Sequence, residues 1–128
     1  MYIRFVISDR DEDSGRRQGL FQAAAALRDA GVLDIYEEEQ MDVLRKWFKE
    51  HLEKPKSFSR SRKPRATRVA LSWFKDTAKL HIAKMYEFAA ILEAHGVHVE
   101  VIRTTRPGYV VYEDEHQITA EPFSETGT

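Results

Sequence analysis

Residues 97–121 have the sequence VHVEVIRTTRPGYVVYEDEHQITAE, and this stretch decides the fold class. It contains three short runs in which apolar and polar residues alternate, a pattern typical of half-buried strands. Two turn signals separate the runs, a Pro-Gly pair at 107–108 and an acidic pair at 114–115. The sequence therefore predicts consecutive antiparallel strands at 97–103, 108–113 and 116–121.

The chain before this stretch has the period of amphipathic helices. Over 74–92, apolar residues recur every three or four positions, which keeps one helix face apolar. Gly96 follows, and glycine readily adopts the left-handed conformation that ends many helices. Of two earlier segments with the same period, one is closed by Gly31 and the next is opened by the capping-box pair Asp34 and Glu37. We therefore predict helices at 16–30, 35–52 and 74–95.

Two further strands complete the predicted sheet. Apolar and polar residues alternate over 2–8, and we expect this strand to lie parallel to 97–103 because helices separate the two in sequence. Over 68–72 a short strand is favoured, with Ser72 as the cap of the next helix, and one long helix from residue 66 is the alternative. The prediction is an α+β domain in which three helices cover a single-layer mixed sheet.

The totals of the chain indicate one soluble domain. A length of 128 residues is enough for a single core, and an apolar fraction of 42% is typical of globular proteins. We expect the domain over 1–123 and a flexible tail at 124–128. The absence of cysteine excludes disulfides and thiolate chemistry. Since no apolar run is long enough for a membrane span and no signal-peptide pattern is present, we expect a cytoplasmic protein.

Positive charge is concentrated in one segment. Residues 53–68 have the sequence EKPKSFSRSRKPRATR, with seven Lys or Arg and one acid, so that their formal charge is +6 while the rest of the chain carries −7. Clustered like charge repels itself and persists most easily where it meets an anionic partner. We therefore predict a basic surface loop at 53–67. The candidate binding residues in it are Lys56, Arg60, Arg62, Lys63, Arg65 and Arg68.

This charge pattern fits a non-enzymatic binding or regulatory module best. Such a module would engage an acidic protein through 54–68, where opposite charge sets the encounter rate and the register. Local RNA or DNA binding through the same segment is the alternative, although the acidic remainder of the chain would repel phosphate. A third interpretation is that the segment folds back onto the chain's own acidic residues, 37–39 or 113–115. A free sheet edge is a candidate for joining two copies of the chain.

The loop at 9–19 is a second candidate site. Arg16 and Arg17 stand at the predicted start of a helix, where unpaired amides and guanidinium groups could hold a phosphate or a carboxylate. Residues 16–21, RRQGLF, resemble the Arg/Gln-x-x-Gly-x-Gly/Ala loop of an acetyltransferase family, with Phe21 as a departure from that pattern. The resemblance implies an acyl-CoA ligand and hence a small enzyme, for which the sequence assigns no catalytic residue.

The same loop has part of a metal-binding pattern. Asp9, Asp11 and Asp13 have the spacing of the first three ligands of an EF-hand calcium loop. The pattern then fails, since Ser14 stands where that loop needs glycine and Leu20 where it needs a bidentate glutamate. Three acids at the end of the first strand could still hold Mg²⁺, but a solvated loop is favoured, and we predict no metal and no cofactor. The five histidines repeat no ligand spacing, and we expect structural or surface roles for them.

Overall fold

The computed structural model describes residues 1–10, 16–54 and 70–123. In these ranges the chain forms three helices and one six-stranded sheet, which confirms the predicted α+β class. The predicted tail at 124–128 lies outside the described residues. The elements in chain order are β1 (Tyr2–Arg10), β2 (Arg17–Gly19), α1 (Leu20–Asp29), α2 (Ile35–His51), β3 (Leu71–Lys75), α3 (Lys79–Ala94), β4 (Glu100–Thr104), β5 (Tyr109–Glu113) and β6 (Gln117–Glu121).

β1 is the centre of the sheet. β4 pairs with one of its edges, from Tyr2 opposite Thr104 to Val6 opposite Glu100, whereas β2 and β3 share the other edge. β6 pairs with β3 and β5 with β6, so that β4 and β5 are outer strands among the described residues. Every one of these pairs is antiparallel. The joining of two copies through a sheet edge stays a prediction.

The expectation that strands 2–8 and 97–103 lie parallel was wrong, and with it the mixed sheet. β3 explains the difference, because it runs antiparallel to β1 before α3 leads the chain to β4. Since β3 and β4 are both antiparallel to β1, they are parallel to each other with β1 between them. The rule that a helix connects parallel strands therefore holds, but the strand that α3 connects to β4 is β3.

The first helix begins later than predicted. α1 starts at Leu20 and not at residue 16, because residues 17–19 pair with β1 as a short strand. Gly19 is the residue before the helix and has extended backbone angles. The end of α1 agrees with the prediction, since Gly31 follows it with a φ of 71°. The start of α2 is also confirmed, with Asp34 accepting a hydrogen bond from the backbone N–H of the residue at its third position.

The third helix also begins later than predicted. α3 starts at Lys79, because Phe74 lies in β3 between partners on two other strands, β1 and β6. Ser72, the expected cap, is likewise in β3, where its Oγ lies 3.2 Å from Thr119 Oγ1. The favoured strand therefore exists, but it covers Leu71–Lys75 and not 68–72.

The main core fills the space between one face of the sheet and the helices. β1 contributes its alternate residues Ile3, Phe5 and Ile7 to this core, as expected for a strand with one face turned to the helices. Val43 of α2 is apolar but lies outside this core and is 66% exposed. On the other face of the sheet, Trp73 forms a smaller buried cluster with residues of β6. The helix residues of the main core are Leu20, Ala23, Ala24, Met41, Leu44, Phe48, Met85, Phe88, Ala89, Ile91 and Leu92.

Arg4 joins the two strands that share one edge of β1. Its guanidinium donates to the carbonyl oxygen of Arg17 in β2 at 2.9 Å and to that of Ser72 in β3 at 3.4 Å. The Arg4 guanidinium therefore supplies hydrogen bonds to two backbone carbonyls at the place where the neighbour of β1 changes from β2 to β3. Among the described residues, no helix combines the length and the apolar composition that a membrane span needs.

Candidate functional site

A cavity of about 1160 Å³ lies beside the C-terminal end of α2. It is lined by α1, α2, α3, the sheet and the turn between β5 and β6. Apolar side chains form much of its wall, whereas polar and charged residues of α2 and of the turn surround it. This combination of an apolar wall and a few convergent polar groups is typical of binding sites. The apolar lining includes Phe5, Leu20, Phe21, Phe48, Phe74 and Phe88.

Phe21 is the exposed member of an aromatic group at this cavity. Its ring meets the rings of Phe48 and Phe88 edge to face, with centroids 4.9 and 5.6 Å apart. Those two rings are 4% and 0% exposed, whereas Phe21 is 42% exposed. Edge-to-face contact is a favourable aromatic geometry, and it holds the ring of Phe21 at the cavity.

Three exposed cations of the same helix end line the cavity. Arg45 and Lys49 lie one helical turn apart in α2, and Lys54 follows the end of that helix. Across the ranges that the structure describes, no acidic side chain forms an ion pair with any of the three. Two acids of the same stretch, Glu50 and Glu53, also line the cavity, so that both signs of charge are present along it.

Three histidines that are scattered in sequence meet beside the cavity. The ring of His81 in α3 stacks on that of His116 at a centroid distance of 4.2 Å. The ring of Trp47 meets that of His81 edge to face at a centroid distance of 4.8 Å and stacks on that of His51 at a centroid distance of 4.4 Å. His51 and His116 line the cavity, whereas His81 is buried. The four rings therefore link α2, α3 and the turn between β5 and β6.

Backbone carbonyls fix which ring nitrogens carry protons in two of these histidines. A carbonyl oxygen can only accept, so His81 Nε2 donates to the His51 carbonyl at 2.8 Å and His51 Nδ1 donates to the Trp47 carbonyl at 2.7 Å. Burial lowers the pKa of His81, and this effect outweighs the opposing hydrogen bond to the carbonyl of His51. The neutral form of His81 is therefore favoured in the folded protein.

Asp114 holds the turn that positions His116. Its Oδ1 accepts the backbone N–H groups of His116 and Gln117 at 2.9 and 3.1 Å, and its Oδ2 accepts the Tyr112 hydroxyl at 2.9 Å and Gln117 Nε2 at 3.0 Å. Burial raises the pKa of Asp114, but these hydrogen bonds together lower it below its ordinary value. The hydrogen bond from the Tyr112 hydroxyl to Asp114 raises the pKa of Tyr112. Gln117 also donates to the Glu53 carbonyl, which ties the turn to the end of α2.

The predicted site at 9–19 is only partly described. Arg17 forms an ion pair with Glu100 of β4, and its carbonyl accepts a hydrogen bond from Arg4. Arg16 is half-buried and Asp9 is exposed at the end of β1. Neither Arg16 nor Arg17 lines the cavity. Asp11 and Asp13 lie outside the described residues, and the described part of the chain has no group of three acids or histidines that could hold a metal ion.

The predicted cations of the basic segment lie outside the described residues as well. These are Lys56, Arg60, Arg62, Lys63, Arg65 and Arg68. The structure describes the chain up to Lys54 and again from Ala70, and both Lys54 and Ser72 line the cavity.

Sequence reasoning missed the histidine group and the cavity. A weak signal for the group was present, since Trp47 and His51 are four residues apart and so share one face of α2. The positions of His81 and His116 depend on the packing of α3 and β6, which no local pattern shows. Comparison of the chain with protein-family models, with curated proteins and with solved structures found no significant match.

Proposed function

We propose that the protein is a non-enzymatic binding module that engages an acidic segment of another protein beside the end of α2. The observation that supports this proposal most is that Arg45, Lys49 and Lys54 are exposed, line one cavity and have no acidic partner in the parts of the chain described. Cations that the fold itself does not pair are available to carboxylates of a partner, which would then set the register of the complex.

The cationic character of this surface continues along the chain. Over 45–54 there are four Lys or Arg and two acids, and 55–69 adds six Lys or Arg and no acid. The formal charge of 45–69 is therefore +8, and the rest of the chain carries −9. Lys54, which lines the cavity, is the last described residue before residues 55–69.

The distribution of charge favours a protein over a nucleic acid. Glu50 and Glu53 stand among the cations that line the cavity, and a chain of phosphates would meet these acids as well as the cations. A protein partner can place a carboxylate opposite each cation and avoid the acids, because its side chains differ from one position to the next.

The polar groups beside the cavity support a binding role more than a catalytic one. Asp114 accepts four hydrogen bonds, and His81 and His51 each donate to a backbone carbonyl. These contacts hold the end of α2 and the turn between β5 and β6 in place. They therefore give the binding surface a rigid support, which reduces the ordering cost of association.

Fluorescence anisotropy with labelled probes tests the proposal. The probes are a Glu-rich peptide that contains apolar residues, a mixed-sequence RNA and a mixed-sequence DNA. We expect the peptide to bind, and we expect R45E/K49E to weaken that binding at least about tenfold. The matched control is R103E, which reverses an exposed cation on β4, the strand on the opposite edge of β1.

Two outcomes would overturn the proposal. The first is that none of the probes binds at low salt. The second is that RNA or DNA binds more tightly than the peptide, with an affinity that falls a few hundred-fold between about 50 and about 200 mM salt, as expected when about five phosphates are engaged. The second outcome would establish the nucleic-acid function in its place.

A further inference from the structure

We infer that the acidic partner segment contains a large apolar side chain, and that this side chain enters the cavity beside Phe21. The inference rests on the proposed function and adds what the partner must contain besides carboxylates. It follows from the juxtaposition of exposed cations and apolar lining in one cavity, since neither feature alone would specify both chemistries.

The exposure of Phe21 is the first step in this argument. Its ring is 42% exposed although it contacts Phe48 and Phe88, which are almost fully buried. Exposed apolar patches that are rimmed by polar residues mark interaction sites. An apolar side chain placed against Phe21 would remove the remaining surface of its ring from water.

The size and lining of the cavity are the second step. About 1160 Å³ is more than one side chain occupies, so the space can accept a large apolar residue without repacking the core. Met85 and Ala24 line it together with the aromatic rings, and no charged group is needed on the part of the partner that enters. A side chain anchored in an apolar pocket is a common source of affinity at interfaces.

The spacing of the cations is the third step. Arg45 and Lys49 are four residues apart, which places their Cα atoms about 6 Å apart along α2. Alternate residues of an extended peptide are separated by about 6.6 Å. Carboxylates two residues apart in an extended segment therefore match the two cations. Lys54 and Phe21 border the same cavity, so an apolar residue close to those carboxylates lies within reach of the lining.

Two peptides of equal net charge test this inference. One has a central Leu-Phe pair among its glutamates, and the other has Ala-Ala in the same positions. We expect the first to bind at least about tenfold more tightly than the second. We also expect this ratio to change little with salt, because salt screens exposed charges and leaves apolar contact almost unaffected. F21A should bring the two affinities together, and its thermal unfolding shows whether the variant is folded.

The methionines give a direct readout of the position of the bound side chain. The chain has three of them: Met85 lines the cavity, Met41 is buried in the core outside the lining, and Met1 is exposed. In a protein labelled with ¹³C at the methionine methyl groups, the Leu-Phe peptide should shift the resonance of Met85 and leave those of Met41 and Met1 in place.

The outcomes distinguish failure of this inference from failure of the proposed function. Equal binding of the two peptides would overturn the inference and leave the acidic docking function standing. Tighter binding of the Leu-Phe peptide without a shift at Met85 would also overturn it, because the apolar contact would then lie elsewhere. Binding of neither peptide would overturn the proposed function itself.

Discussion

The imidazole ring of His81 stacks on that of His116, with the two centroids 4.2 Å apart and the planes 29° from parallel. His81 lies in α3 and His116 in the turn between β5 and β6, 35 residues further along the chain. His51 joins the group through its carbonyl oxygen, which accepts the Nε2 proton of His81. The pair therefore connects the helical layer to the end of the sheet beside the candidate binding cavity.

We predict that the protein loses stability as the pH falls below about 6.5, the ordinary pKa of histidine. Burial lowers the pKa of His81, so the unfolded chain binds its proton more readily than the folded chain does. The stabilising contribution of His81 is therefore complete above that pH and is lost below it. The charged or titratable groups that face the ring are His51, His116 and Asp114.

Urea unfolding at a series of pH values checks this prediction. The matched variant is H81F, which keeps a ring in the aromatic group but cannot be protonated. We expect the free energy of unfolding to vary less with pH in H81F than in the wild type between about pH 7.5 and about pH 5.5. Parallel profiles for the two proteins would show that His81 does not titrate as its burial implies.

We predict that D114N is destabilised by about 1–2 kcal/mol, because one acceptor oxygen is replaced by a donor that faces two other donors, Tyr112 and Gln117. The adjacent E115Q is the control, since Glu115 has a side chain that is 88% exposed. Urea unfolding of both variants measures the difference. A D114N protein as stable as E115Q would mean that the hydrogen bonds of the turn contribute nothing to the fold.

We predict that R4M lowers the free energy of unfolding by about 1–2 kcal/mol, because the backbone carbonyls of Arg17 in β2 and Ser72 in β3 lose charged hydrogen bonds. The effect should be local. Hydrogen exchange of the amides in residues 17–19 should become faster, whereas the amides of β6 should keep their protection. R103M serves as the control, and unchanged exchange in residues 17–19 of R4M would contradict the role assigned to Arg4.

We predict that G108A is much more destabilising than G31A. A Cβ at position 108 would lie 2.0 Å from the carbonyl oxygen of Glu121, at a φ of 143°, whereas a Cβ at position 31 meets no atom within 4 Å. We expect a loss of about 3 kcal/mol or more for G108A and about 1 kcal/mol for G31A, which has only the left-handed φ against it. Thermal unfolding compares the two, and equal losses would contradict the close approach at Gly108.

The local features of the fold could be predicted from the sequence because short-range chemistry determines them. Asp34 and Glu37 form the predicted capping box, and Gly31 and Gly96 have the left-handed backbone that was expected after α1 and α3. Strand β2 could not be predicted, since three residues are too few to show a period. Its pairing with β1 is a tertiary contact, and that contact overrides the helical pattern of residues 17–19.

The candidate site could be predicted only in part. Charge clustering pointed to the segment 54–68, which begins at Lys54, but Lys54, which lines the cavity, was not among the named candidate residues. Arg45 and Lys49 were missed, because within α2 they show the ordinary pattern of a solvated helix face. The cavity itself depends on residues from separate helices and strands, and their meeting is a property of packing that no single stretch of sequence expresses.

A charge-swap titration tests the central claim most directly. K49E is titrated with the Leu-Phe glutamate peptide and with peptides in which one glutamate at a time is replaced by lysine. We predict that K49E weakens binding of the original peptide. We also predict that one of the lysine peptides binds K49E at least about tenfold more tightly than the original peptide does, and that this lysine peptide binds the wild type less well. If no lysine peptide recovers affinity for K49E, the acidic partner does not dock at the end of α2.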